Sequence, residues 1–341
     1  SDIEAVLNLP VIEDTFALRA AIYRYDRSGY IRNVAYQDPN KLAGVEVFGA
    51  QLSDQIEDRG NRVIEGFRLG ALWRVTDRFD IRFTAMGQDS DQDGIPTTDV
   101  LHGLYEQSRY ARTDGSDEFQ TDEMELYSLV LEYGAENWSL VSASSWVDYR
   151  ADIDWDVGIF LLDSLGGLAE PPVWIYQNND NERFTQEVRW AWDAGGRWRV
   201  LLGAYYEEHT SAFDQDMTWE GVIPSDPDLI WSELQQFSLF TDLRFSMTEH
   251  WELAAGARYY DYEVDHLGEF EGNVSTDQSS ETSTTGKLGV NWTPDTTRAG
   301  ENPLVYFTWS QGFRPGFPVG EASPDCDADG DGIIEGVGLP Y

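Results

Sequence analysis

Residues 182–210, ERFTQEVRWAWDAGGRWRVLLGAYYEEHT, carry the pattern that decides the fold. Two alternating segments flank a tight polar turn, Asp193-Ala194-Gly195-Gly196-Arg197. Before the turn, Val188, Trp190 and Trp192 share one parity and Thr185, Glu187 and Arg189 the other. After it, Trp198, Val200, Leu202, Ala204 and Tyr206 alternate with Arg199, Gly203 and Glu207. Side chains of a strand alternate between faces, so the spacing predicts a hairpin with one apolar and one polar face. Aromatic residues stand beside the turn on the apolar face.

Outward from this hairpin, short polar turns recur at 10–15, 74–78, 134–137 and 246–250, with a longer one at 293–303. Between them lie long polar stretches rich in Gly and Asp, at about 26–61, 88–122, 152–181, 211–232, 265–283 and 315–341. The segments that join short turn to long stretch alternate as the hairpin does. Phe79, Ile81 and Phe83 oppose Asp80 and Arg82; Trp251, Leu253 and Tyr259 oppose Glu252, Gly256 and Arg258. Leu288, Val290 and Trp292 oppose Lys287, Gly289 and Asn291. Two segments are less regular: 138–147 has Ser on both faces, and Phe240 sits among Ser238, Asp242 and Arg244. With a further fragment at Ile3, Ala5, Leu7 and Leu9, the pattern predicts about twelve antiparallel strands. The start at Ser1, without a signal-peptide pattern, reads as a cut from something longer.

The solvent of the apolar face follows from three features. Connections alternate short and long. Aromatics flank the short turns on the apolar face: Trp73 with Phe79, Tyr133 with Trp138, Trp192 with Trp198, Phe245 with Trp251, and Trp292 at the longer turn. The opposite face carries Arg19, Arg82, Glu187, Arg189, Arg199, Glu207, Asp242, Arg244, Glu252 and Arg258, which a second sheet could not bury unpaired without a large penalty. A lipid-facing band with an aromatic girdle and a polar lumen requires all three. The reading is all-β: an antiparallel up-and-down transmembrane β-barrel wall in a Gram-negative outer membrane, with outer-membrane lipid as partner. The ten charged residues face its lumen and pair across neighbouring strands.

Composition agrees. Aromatics make up 13% of the 341 residues, with 13 Trp, yet no run of about 18 apolar residues reads as a membrane helix. The net charge of −39, from 62 acids against 23 Lys and Arg, sets nucleic acid aside as a partner. One cysteine, Cys326, excludes an internal disulfide. Catalytic triads, phosphate loops and zinc motifs are absent, so an enzyme is not expected.

The segment 306–316, YFTWSQGFRPG, resembles a recurrent barrel strand of TonB-dependent outer-membrane receptors, with Gly312, Phe313, Arg314, Pro315 and Gly316 as the signature. Leu9-Pro10 with Asp14 to Arg19, then Arg27 to Asn33, resembles their early strands; Thr185 to Arg189 with Leu202 to Tyr206 resembles a later pair. The resemblance implies a barrel of about 22 strands around a plug domain, so about twelve strands are an internal piece. It also implies energy-coupled uptake of a scarce small-molecule ligand: a ferric siderophore or similar chelate, a cobalamin or a carbohydrate. The energy would come through the TonB complex acting on the missing plug. The rivals are a passive outer-membrane porin and a secreted soluble calcium-binding β-protein.

Two acidic runs resemble calcium loops, and no other cofactor is expected. Asp89, Asp91 and Asp93 precede Gly94, with Asp99 downstream; Asp325, Asp327 and Asp329 precede Gly330, with Asp331 beyond. Alternate carboxylates on a bent loop can converge on one hard cation. The same runs also read as solvated acidic loops. For a ligand, His102, Tyr105, Tyr110 and His266 are the loop candidates, though no spacing makes them a metal site.

Overall fold

The computed structural model describes residues 1–34, 37, 39–49, 51–52, 57–94, 109–110, 113–114, 118–158, 173–218, 227–270, 272–294, 303–314, 316, 333–334 and 339–340. Twelve strands form one sheet in sequence order, each antiparallel to the next. They are β1 (Asp2–Ile12), β2 (Phe16–Arg27), β3 (Arg62–Thr76), β4 (Phe79–Asp93), β5 (Phe119–Gly134) and β6 (Trp138–Asp156), followed by β7 (Trp174–Asp193), β8 (Trp198–Thr218), β9 (Asp228–Ser246), β10 (Trp251–Phe270), β11 (Asn273–Trp292) and β12 (Val305–Ser310). This is the all-β up-and-down meander that the alternation predicts.

The central hairpin, β7 and β8, pairs Trp192 with Val200 and Asp193 with Arg199. Its turn contains Gly195 at φ 72°, in the left-handed region where Gly carries no Cβ penalty. The Gly195 amide donates to Asp193 Oδ1 at 2.9 Å, which fixes the turn. The sheet does not close on itself. Among the described residues, β1 pairs only with β2 and β12 only with β11, and every residue of β1 is exposed.

Strand lengths correct the sequence reading of the connections. The stretch 265–283 is not a loop: β10 and β11 run through it, pairing Asp265 with Gln278 and Phe270 with Asn273. The other connections span 94–118, 157–173 and 219–227, shorter than the expected 88–122, 152–181 and 211–232. The cause is loss of alternation where both faces meet water. Thr276 to Glu281 are polar on either parity, so they pair as a strand while reading as a loop.

A helix, α1 (Pro39–Phe48), interrupts the connection from β2 to β3 and was not expected. Its signal is Pro39 at the first helical position and Gly49 past the end at φ 72°. Lys41 Nζ meets Asp156 Oδ2 of β6 at 2.8 Å, with both side chains 1% exposed. Beside it, Arg59 contacts Asp93 of β4 and lies 3.8 Å from Glu118, which precedes β5. The segment is thus tied to the ends of three strands.

One face of the sheet has no covering layer. Trp198 is 50% exposed and Leu202 46%, and Leu69, Phe83, Leu129, Leu140, Leu239 and Leu253 of the same face are exposed as well. The buried hydrophobic cluster of the sheet, Leu234, Tyr260, Tyr262 and Val264, lies on the other face. So broad an apolar face exceeds what a soluble protein leaves to water, and among the described residues there is no inter-sheet core of the kind a soluble sandwich needs.

Candidate functional site

The register sorts side chains between two faces across all twelve strands. Trp73, Phe79, Tyr133, Trp138, Trp192, Trp198, Phe245, Trp251 and Trp292 fall on the apolar face, at the strand ends beside the short turns. Neighbours in this row touch: Tyr133 and Trp138 at 5.2 Å between centroids, Trp198 and Phe245 at 4.6 Å, Trp251 and Trp292 at 5.6 Å.

A second aromatic row, which the sequence reading missed, lies on the same face: Phe67, Tyr127, Trp146, Phe184, Tyr206, Phe237 and Tyr259. On β6, β8 and β10 the two rows are eight residues apart (Trp138 to Trp146, Trp198 to Tyr206, Trp251 to Tyr259). That is about 26 Å along a strand, and roughly 20 Å once strands tilt as in membrane barrels. Beyond the second row the face turns acidic, and the aromatic polar tips bond to it. Tyr206 Oη donates to Glu208 Oε2 at 3.0 Å, Tyr127 Oη to Glu125 Oε2 at 3.1 Å, and Trp146 Nε1 to Glu182 Oε1 at 2.7 Å. An aromatic with one apolar and one wet end suits a membrane boundary.

Between the rows the face is apolar apart from Thr241 and one polar cluster on β6 and β7. Gln186 Nε2 donates to Ser142 Oγ at 3.0 Å, and Ser144 Oγ donates to Gln186 Oε1. This closed polar knot accounts for the Ser residues on the apolar parity of β6.

All ten charged residues expected on the polar face lie on one face, and most are paired. Asp242 accepts from Arg244 Nε at 3.0 Å and Lys287 Nζ at 2.7 Å. Glu252 binds Arg199, accepts from Asn291 Nδ2 at 3.1 Å and lies 3.8 Å from Arg244. Arg189 pairs with Glu187 on its own strand. Arg82 pairs with Glu132 of β5 at 2.9 Å, and Glu207 takes Arg183 at 3.1 Å and the Tyr205 hydroxyl at 2.7 Å. Arg258 lies 5.5 Å from the Tyr205 ring and donates to Ser238 at 3.0 Å. A recess of about 500 Å³ opens among Glu187, Arg189, Asp242, Arg258, Lys287 and Gln311. Its chemistry is that of a polar docking wall with charges of both signs.

The calcium reading of the first acidic run is corrected. Asp89, Asp91 and Asp93 lie within β4 and point to one face of an extended chain, successive residues about 7 Å apart. Such carboxylates cannot wrap one cation, and Asp93 instead engages Arg59 and Asn61. Among the described residues no group of three His, Cys, Asp or Glu could hold a metal ion. Asp99 and the run Asp325, Asp327, Asp329 and Asp331 lie outside the described residues, as do His102 and Tyr105. Tyr110 pairs by its backbone with Asn33 in a short parallel bridge. His266 is in strand β10, opposite Ser232 and Asp277, and not in a loop.

Of the signature, Gly312, Phe313, Arg314 and Gly316 are described and Pro315 is not. Phe313 stacks on Tyr260 at 3.8 Å, on the polar face of β10.

Residues 73–330 match the family profile described as TonB dependent receptor-like, beta-barrel. No curated protein matches by sequence. Among solved structures, the ferric yersiniabactin uptake receptor FyuA of Yersinia pestis superposes with a TM-score of 0.68 at 13% identity, over 90% of this chain and 44% of that one. The siderophore receptor PiuA of Acinetobacter baumannii does so with 0.68 at 14% identity, over 91% and 47%. The copper transporter OprC gives 0.58 at 10% identity, over 91% and 44%. The chain therefore spans about half the length of the proteins whose fold it shares.

Proposed function

Because the chain belongs to the TonB-dependent receptor family, through its β-barrel domain, we propose that it forms wall and outer loops of a receptor for energy-coupled ligand uptake. The location is the Gram-negative outer membrane. The observation that carries this reading is the pair of aromatic rows bounding an apolar band on one face while paired charges line the other. The apolar band faces lipid and the paired charges face the lumen. There the wall around Asp242 and Glu252 holds a plug domain, and the energy-coupling complex acts through that plug.

The ligand is a scarce solute, with a ferric siderophore or similar chelate first and a cobalamin or carbohydrate next. Two fold neighbours, a ferric yersiniabactin uptake receptor and a copper transporter, support a metal-bearing cargo. Uptake of ferric chelates by energised cells, with and without the gene, tests the reading. Loss of uptake on deletion, and its abolition by a protonophore, is the expected result. Uptake that persists without the proton gradient would favour a passive porin.

A further inference from the structure

The recess of about 500 Å³ on the polar face carries an excess of positive charge: Arg189, Arg258 and Lys287 line it against Glu187 and Asp242. That balance is unusual in a chain with 62 acids and 23 Lys and Arg. Both carboxylates are committed to other cations. Glu187 holds Arg189, and Asp242 accepts from Lys287 Nζ at 2.7 Å and from Arg244 Nε at 3.0 Å. Among the described residues, Arg258 has no carboxylate partner. Its guanidinium lies 5.5 Å from the Tyr205 ring centre, and Nη2 donates to Ser238 Oγ at 3.0 Å. Its Nε is buried without a hydrogen-bond partner among the described residues. These neutral contacts hold the cation in place and leave its charge uncompensated.

The backbone shapes the recess. Gly256 pairs with Asp242 on one side and Lys287 on the other, so the floor between the two charges has no side chain. A Cβ at Gly256 would stand 3.0 Å from Thr241 O and 3.8 Å from Asp242 Oδ2, so the position stays bare. Arg258 follows two residues along the same face of β10. A visiting chain can therefore approach the wall closely at Gly256 and present a carboxylate to Arg258.

We propose that this recess docks the plug domain through an acidic side chain of the plug, received by Arg258 beside Lys287. The proposal rests on the polar face being the lumen wall around a plug. The recess shares Asp242 with the charge-paired wall, and a fixed cation above a glycine floor suits a partner that stays rather than a solute that passes. Around it the wall's own charges satisfy one another, as Glu252 does with Arg199, so the contact at Arg258 sets where the plug sits.

The test uses the whole receptor in its native outer membrane. Ser310, which lines the recess opposite Lys287, is replaced by the photoreactive benzoylphenylalanine. Irradiation is expected to join residue 310 to a plug peptide that contains Asp or Glu, identified by mass spectrometry. Arg258→Glu should lower the cross-link yield at least about tenfold, and Arg258→Lys, which keeps the charge, should lower it less. Exchanging the acid of that plug peptide for Arg in the Arg258→Glu receptor should restore the yield, which a loss of folding would not allow. A cross-link to a plug peptide without an acid, a yield indifferent to Arg258→Glu, or no recovery on reversal overturns the acidic contact. A cross-link confined to the barrel, or none, overturns docking in the recess. Failure of the lumen reading is seen separately, as cross-linking to lipid.

Discussion

The ring of Phe240 on β9 lies over Gly203, its direct partner on β8, and fills the space where a side chain at Gly203 would stand. This pair explains a large aromatic standing between Ser238 and Asp242 on the polar face. Phe240 covers a bare stretch of neighbouring backbone, as aromatics do beside strand glycines. Gly203→Val is expected to displace the ring and lower unfolding free energy by about 1–3 kcal/mol, the usual cost of overpacking. Adding Phe240→Ala should recover part of that loss. Denaturant unfolding of the protein in lipid vesicles measures both.

The polar knot on the apolar face gives an expectation with opposite signs. Gln186→Ala removes the partner of Ser142 and Ser144 within the lipid-facing band, and unpaired buried polar groups cost about 1–3 kcal/mol. Replacing all three together, with Gln186→Leu, Ser142→Ala and Ser144→Ala, should be neutral or stabilising. The same unfolding measurement distinguishes them, and equal losses would contradict the placement.

The ion pair of Lys41 and Asp156 should hold the α1 segment to the strand ends. Removing one partner of a buried pair costs about 3–5 kcal/mol, because the other charge stays buried. Lys41→Met should therefore loosen the segment, and tryptic cleavage at Arg32 and Arg59 should quicken while the strands stay intact. Asp156→Leu in the same protein should slow cleavage again.

These expectations depend on features of unequal legibility. The strands were readable wherever one parity is apolar, as in 198–206, because a face in lipid must stay apolar. The outer half of β11 was not: Thr276, Gln278 and Ser280 on one face and Asp277, Ser279 and Glu281 on the other are all polar, so hydrogen bonding to β10 keeps them extended. The second aromatic row was hidden because it exists only across strands: Tyr206 and Tyr259 read as apolar-face residues of their own strands, and only the register sets them level with Phe67, Tyr127, Trp146, Phe184 and Phe237. Salt-bridge partners need register: Arg199 finds Glu252 across an intervening strand, which no spacing announces. Asp89, Asp91 and Asp93 misled because alternate carboxylates suit both a calcium loop and one face of a strand.

A single arginine placed on either face separates lipid from lumen energetically. Leu202→Arg puts a charge inside the apolar band, where the penalty at the midplane is about 2–4 kcal/mol. Leu201→Arg, one residue away on the polar face beside Asp242, should cost far less. Comparable losses at both positions would leave the two faces without distinct solvents.

The central claim is that the apolar face of this sheet lies in lipid and the polar face in water. Nitroxide labels placed one at a time at residues 200–206 of β8, with Cys326→Ser, test it most directly in reconstituted vesicles. Collisions with lipid-soluble oxygen should peak at 200, 202 and 204, and collisions with a water-soluble nickel chelate should peak at 201, 203 and 205. Alternation with the opposite phase, or water access at every position, would contradict the account.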